Sequence, residues 1–114
     1  MKITKRSKSE IVKEEAHGGN GYREVYAAPD HLKSSHFEMM TRGYLPAGKT
    51  FDWHDHPGTE EIMVVVQGRG EVSDEDGVYT YEPGDVFVFP ADTQHKIRNP
   101  SQEEHEMIFV RVKL

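Results

Sequence analysis

Three of the seven histidines in this 114-residue chain are spaced so that their side chains can act together. His54 and His56 are separated by one residue, so on a strand both imidazoles project from the same face, with Cα atoms roughly 6.5–7 Å apart. Neutral imidazole is the commonest metal-binding side chain. A carboxylate follows closely, at Glu60 or Glu61, and His95 comes later in the chain. Such mixed nitrogen and oxygen donors suit Fe, Mn, Co, Ni, Cu or Zn. The absence of cysteine removes disulfides, thiolate metal sites and cysteine nucleophiles, so any metal must be held by His, Asp or Glu. The other histidines, His17, His31, His36 and His105, fall in polar or loop-like stretches.

The elements that must position these side chains are strands. From Ser35 onward the pattern is β to the end: Phe37 to Leu45, Glu61 to Gln67, Glu71 to Ser73, Val78 to Tyr81, Val86 to Phe89, His95 to Arg98 and Met107 to Val112. Pro46-Ala47-Gly48, Gly68-Arg69-Gly70, Asp74-Glu75-Asp76-Gly77 and Glu82-Pro83-Gly84-Asp85 punctuate them, and the Asp-Gly pair favours the positive φ of a hairpin turn. Short strands at near-regular spacing predict a closed barrel or sandwich, with a jelly roll natural for about eight strands. Residues 1–34 read as an N-terminal arm and loop, and residues 35–114 as the barrel. Within the arm, Ser7 and Glu10 have capping-box spacing, which fits a short helix or an extended segment. His17-Gly18-Gly19-Asn20-Gly21 is too rich in glycine for a regular element and reads as an ordinary flexible loop. Val25 to Ala27 reads as a short strand.

Composition narrows the classes. The net charge of −6 argues against nucleic acid, which requires a clustered basic face; Lys2, Lys5, Arg6 and Lys8 read as a solvated terminus. No apolar run approaches the roughly 20 residues of a membrane span, and the Lys- and Ser-rich N-terminus lacks the apolar stretch of a secretory signal. A cytoplasmic location is the resulting expectation.

Gly48-x5-His54-x-His56-x4-Glu61-x6-Gly68 resembles the first motif of the cupin superfamily, with a spacing similar to that of germin-like members. Gly84-x5-Pro90-x-Asp92-x2-His95-x3-Asn99 resembles the second, with Asp92 where glycine is usual. Five fixed positions match by chance on the order of once in 10⁶–10⁷ starts. The resemblance implies an all-β double-stranded β-helix, or jelly-roll barrel, holding one divalent transition metal ion (Fe, Mn, Zn, Ni, Co or Cu) with His54, His56, Glu61 and His95. Glu61 is preferred to Glu60 because it stands seven residues before Gly68, as the motif requires, and shares strand parity with Met63 and Val65. Asp92 tolerates a left-handed turn better than most residues. Asn99 reads as a structural turn residue bonding its own backbone, and Gly48, Gly68, Gly84 and Pro90 as backbone-shaping.

If Glu61 points inward, Phe37, Met39, Thr41, Gly43 and Leu45 face the interior, while His36, Glu38, Met40, Arg42 and Tyr44 face outward or into a subunit contact. Met39, Thr41, Phe51, Trp53 and Met63 are the candidate lining of a substrate pocket. Family members that handle oxalate often carry a polar or basic residue three positions before the first histidine. Phe51 occupies that position here, which favours an apolar or aromatic ligand. Three histidines and a glutamate leave coordination positions open, which implies a metal-dependent enzyme acting on a small organic molecule, either a dioxygenase or a Lewis-acid lyase or isomerase. A non-catalytic module that binds a small molecule or stores metal is the alternative. No second base is visible. The family also implies a homodimer, in which the arm adds a strand to a neighbour's sheet.

Overall fold

The computed structural model describes residues 2–114. Ten strands form two antiparallel sheets. In chain order they are β1 (Lys13–Ala16), β2 (Gly21–Ala27), β3 (Phe37–Leu45), β4 (Thr50–His54), β5 (Thr59–Gln67), β6 (Gly70–Ser73), β7 (Val78–Tyr81), β8 (Val86–Phe89), β9 (His95–Arg98) and β10 (His105–Lys113). The larger sheet runs β1-β2-β3-β10-β5-β8 and the smaller β4-β9-β6-β7. Alternation builds the space between them. Glu61, Met63 and Val65 of β5 turn inward while Glu60, Ile62 and Val64 turn away, and Leu45, Phe51, Val72, Ile97 and Met107 complete a core drawn from both sheets. The all-β, two-sheet barrel expected from the sequence is the observed architecture.

The N-terminal segment departs from a free arm. β1 pairs with β2 and β2 with β3 of the same chain, extending the larger sheet at its edge. Arg6 donates to the Val25 and Tyr26 carbonyls of β2, which ties the preceding residues down. Lys8–Glu10 makes a single 3₁₀ turn for which Ser7 offers no side-chain cap, and β1 begins three residues later. The glycine-rich stretch is the β1–β2 connection, with Ala16 opposite Gly21. β2 is longer than the three residues expected, since Gly21 and its successors are held by cross-strand bonds that outweigh local preference.

One irregularity positions the site. Along β4 and β9, Phe51 pairs with Ile97 and His54 with His95, so Asp52 and Trp53 together oppose Lys96. This is a β-bulge. Phe51 and His54 therefore face the same interior despite their odd separation, and Trp53 is turned out with Lys96 Nζ 5.1 Å above its ring.

His105, expected in a loop-like stretch, opens β10 and is 1% exposed. Its two ring nitrogens face the Tyr81 hydroxyl and, at 3.0 Å, Ser101 Oγ, so burial leaves neither unpaired. Gly68 lies against this imidazole with φ 106°, a conformation and a clearance that no Cβ would permit. Asn99 bonds well beyond its own turn: Nδ2 donates to the carbonyls of Leu45 (3.0 Å), Pro46 (3.2 Å) and Glu103 (2.6 Å).

Burial holds the His105 pKa below its ordinary 6.5, with Glu103 opposing the shift. A group with a lowered folded-state pKa binds fewer protons when folded, so its contribution to stability is complete above about pH 6.5 and is lost as pH falls toward the folded value. The urea midpoint is expected to fall between about pH 7.5 and pH 5.5, and to fall less in His105→Gln. Equal pH dependence in the two proteins would remove His105 from the account.

Candidate metal centre

The three histidines converge from two separate stretches of chain. His54 ends β4, and His95 opens β9 as its cross-strand partner. His56 lies beyond the end of β4, so it reaches the cluster through the turn leading to Gly58 and not by sharing a strand face with His54. Asp92 braces that turn. It adopts φ 62°, as a glycine would, and its Oδ1 accepts from Gly58 N at 3.3 Å while its own N–H donates to the His56 carbonyl at 3.4 Å.

One nitrogen from each of His54, His56 and His95 lies within 4.8 Å of the others. Backbone carbonyls orient two of the rings. His54 Nδ1 donates to Asp52 O at 2.6 Å and His95 Nδ1 to Thr93 O at 2.9 Å, which leaves each Nε2 as a free lone pair. Phe89 stacks on His95 at 4.1 Å and fixes its plane. His56 Nε2 and His95 Nε2 are buried without a hydrogen-bond partner. Orphaned polar atoms of this kind are rare in folded proteins and call for a partner. A divalent ion fits them: the donors are imidazole nitrogens and they converge with that of His54, the His54 and His95 rings being backed by carbonyls while His56 Nδ1 faces Arg111 Nη1 at 3.4 Å.

Of the two glutamates, Glu61 approaches the histidines and Glu60 does not. Glu61 is 5% exposed, with Oε1 3.4 Å from His56 Nε2 and 3.7 Å from His95 Nε2, whereas Glu60 points to solvent. Burial alone would raise the Glu61 pKa, but the close approach of His56 and His95 outweighs it and lowers the value to about 2. Glu61 is therefore an anion across the physiological range. The His54 pKa is lowered, chiefly by burial and against the bond to Asp52.

A cavity of about 300 Å³ opens beside the cluster, walled by Thr41, Phe51, Glu61, His17, Arg23 and Arg111 among others. Of the pocket residues expected from the sequence, Thr41 and Phe51 line it. The Met39 sulfur lies behind the wall, against Arg23 and Arg111. Met63 is wholly buried in the core, and Trp53 is 46% exposed on the outer side of the bulge; neither borders the cavity. Phe51 is 1% exposed because His17 stacks on it, with centroids 3.9 Å apart. The ligand-facing surface is thus more polar than Phe51 alone suggests.

His17, Arg23 and Arg111 were not among the expected site residues. His17 was assigned to an ordinary loop, yet it takes a left-handed φ of 51° and places its ring over Phe51 and 5.1 Å from that of His54. Burial, followed by the charge of His54, lowers its pKa to about 4, so it is a neutral imidazole at pH 7. Arg111 carried a usable signal: it shares parity with Met107 and Phe109 on the last strand. Arg23 and His17 belong to the segment read as an arm, and only the β2–β3 pairing brings them here.

The cupin-domain family model matches residues 42–111. Among curated proteins, a polyketide synthase protein, CurC, of Streptomyces cyaneus is 34% identical over 71 residues, which is 62% of this chain and 46% of that protein. A germin-like protein of Arabidopsis thaliana is 33% identical over 56% of this chain and 30% of its own length. The matched region thus spans less than half of either relative. Among solved structures, a predicted oxalate decarboxylase from Thermotoga maritima superposes with a TM-score of 0.81 at 27% identity, covering 98% of this chain and 100% of that one. KdgF from Halomonas gives a TM-score of 0.78 at 22% identity, with coverage of 95% and 93%.

Proposed function

This chain belongs to the cupin family, and on that premise we propose that it is a metal-dependent enzyme acting on a small organic molecule in the cavity beside His54, His56, Glu61 and His95. The observation that carries the reading is the pair of buried, unpartnered Nε2 atoms of His56 and His95, of which His56 borders that cavity. Glu61 is the proposed fourth ligand, on the strength of its 3.4 Å and 3.7 Å approaches and its depressed pKa. When bound, a divalent ion supplies Lewis acidity to a substrate oxygen or, as Fe or Cu, a redox centre for O₂. The chain's own residues do the rest. Asp52 and Thr93 carbonyls hold two imidazoles in one tautomer. Phe51 and His17 close one wall against water, and neutral His17 is placed to accept a proton from a bound substrate.

Turnover is the test. Protein reconstituted with Fe, Mn, Ni or Zn is expected to consume a substrate from a panel of diols, diketones and sugar acids, with or without O₂, and His17→Gln is expected to lower kcat more than KM. Tight ligand binding without product under every metal would replace the enzyme by the binding module.

The homodimer is proposed on separate ground. Ile62 and Val66 of β5, Val86 and Val88 of β8 and Val112 of β10 form an exposed apolar face on three adjacent strands, with Val86 59% and Val88 62% exposed. A second copy covering this face would remove it from water. Light scattering is expected to give a dimer that Val88→Glu converts to a monomer; a monomeric wild type rejects the proposal.

A further inference from the structure

The cavity brings together two arginines that the metal cluster does not account for. Arg111 on β10 pairs across the sheet with Met39 on one side and Glu61 on the other. Arg23 comes from β2, two strands away from β10. Each guanidinium has its Nε edge toward a glutamate: Arg23 Nε donates to Glu14 at 2.8 Å, and Arg111 Nε lies 3.7 Å from Glu38. The outer nitrogens of both turn toward one acceptor, the Met39 thioether, at 3.8 Å from Arg23 and 3.4 Å from Arg111.

The glutamates balance the charges, but the outer edges of both guanidinium groups meet only a single neutral sulfur, a weak acceptor, at the wall of the cavity. The remaining contact of Arg111, to His56 Nδ1, is long at 3.4 Å. A planar guanidinium fork is the geometry that meets a carboxylate with two parallel hydrogen bonds. The Arg111 side chain is only 19% exposed, so a bond made there is partly shielded from water.

We infer that the cavity takes a small carboxylate-bearing ligand, its carboxylate held between Arg23 and Arg111 and its other end directed at the histidine cluster. A carboxylate suits the wall better than a phosphate dianion does, because Glu15 and Glu61 also border the cavity and penalise added negative charge. A volume of about 300 Å³ admits a molecule of a few carbons up to a single sugar ring. The inference rests on the metal-site reading for the direction of the ligand's reacting end, and on the arginines alone for the carboxylate contact.

The test is calorimetric titration of zinc-loaded protein with malonate, pyruvate and gluconate. Malonamide, glucose and inorganic phosphate serve as comparison arms, and metal content is measured in every sample. At least one carboxylate is expected to bind in the millimolar range or tighter, with its neutral counterpart at least about tenfold weaker. Arg23→Gln and Arg111→Gln are each expected to weaken it about 10- to 100-fold at equal metal occupancy. Arg111→Lys should fall between wild type and Arg111→Gln, since it keeps the charge and loses the fork. Unchanged affinity in both glutamine variants, equal binding of the neutral arms, phosphate binding without carboxylate binding, or no carboxylate binding at all would overturn the inference. A protein that takes up no zinc yet binds a carboxylate through both arginines would support it and overturn the metal reading instead.

Discussion

Alanine at position 95 is expected to lower the affinity for a divalent transition ion at least about 100-fold. Loss of a residue that merely supports a metal ligand typically costs 10- to 100-fold, and His95 is a proposed ligand itself. It is the deepest of the three histidines at 1% exposure, and its plane and tautomer are fixed by Phe89 and the Thr93 carbonyl. The same titration, run against a chromogenic chelator, separates the two glutamates. Glu61→Gln is expected to weaken binding about tenfold or more, whereas Glu60→Gln, altering a side chain in solvent, leaves it unchanged. Wild-type affinity in folded His95→Ala, or equal losses in the two glutamine variants, would dismantle the proposed ligand set.

The second large effect lies away from the cavity, at Asn99. This side chain is 0% exposed and staples the end of β3 to the loop before β10: Nδ2 serves the carbonyls of Leu45, Pro46 and Glu103, while Oδ1 accepts from Ser101 N and Ser101 Oγ. Alanine would strand several of these groups away from water, at a cost of about 2–4 kcal/mol in urea unfolding. Aspartate has the same shape and is the sharper probe. At neutral pH it offers no hydrogen to the three carbonyls and sets a negative charge against them, so Asn99→Asp is expected to be at least as unstable as Asn99→Ala. Its folded-state pKa must then be raised above that of the unfolded chain. Its penalty is therefore relieved as pH falls through the folded value, and the gap to wild type should narrow on acidification. A gap that widens or stays constant contradicts the assigned donor role.

The legibility of this molecule from its sequence follows the range of the interactions involved. Glu61 was legible through strand parity, turning inward with Met63 and Val65 as counted, whereas His54, His56 and His95 stood out by motif spacing alone, since His56 lies beyond the strand that His54 ends. Trp53 was placed in the pocket by its nearness to His54 in sequence; alternation from His54 sends both Trp53 and Phe51 outward, and the bulge opposite Lys96, which no local residue announces, returns Phe51 alone to the interior. His105 looked like a loop histidine because its partners, Tyr81 and the space beside Gly68, come from strands distant in sequence. Arg23 and His17 could not be assigned to the cavity without knowing that β2 joins β3. Local chemistry was visible, and long-range pairing was not.

The two-for-one step in β4 also bears on engineering. It lets one five-residue strand supply an aromatic floor with Phe51 and a donor nitrogen with His54, two duties that an unbroken pleat would send to opposite sides of the sheet. A designer who grafts only the histidine spacing onto another β-scaffold would transplant the donors and leave the floor behind. The portable unit is the phase change together with the strand that tolerates it.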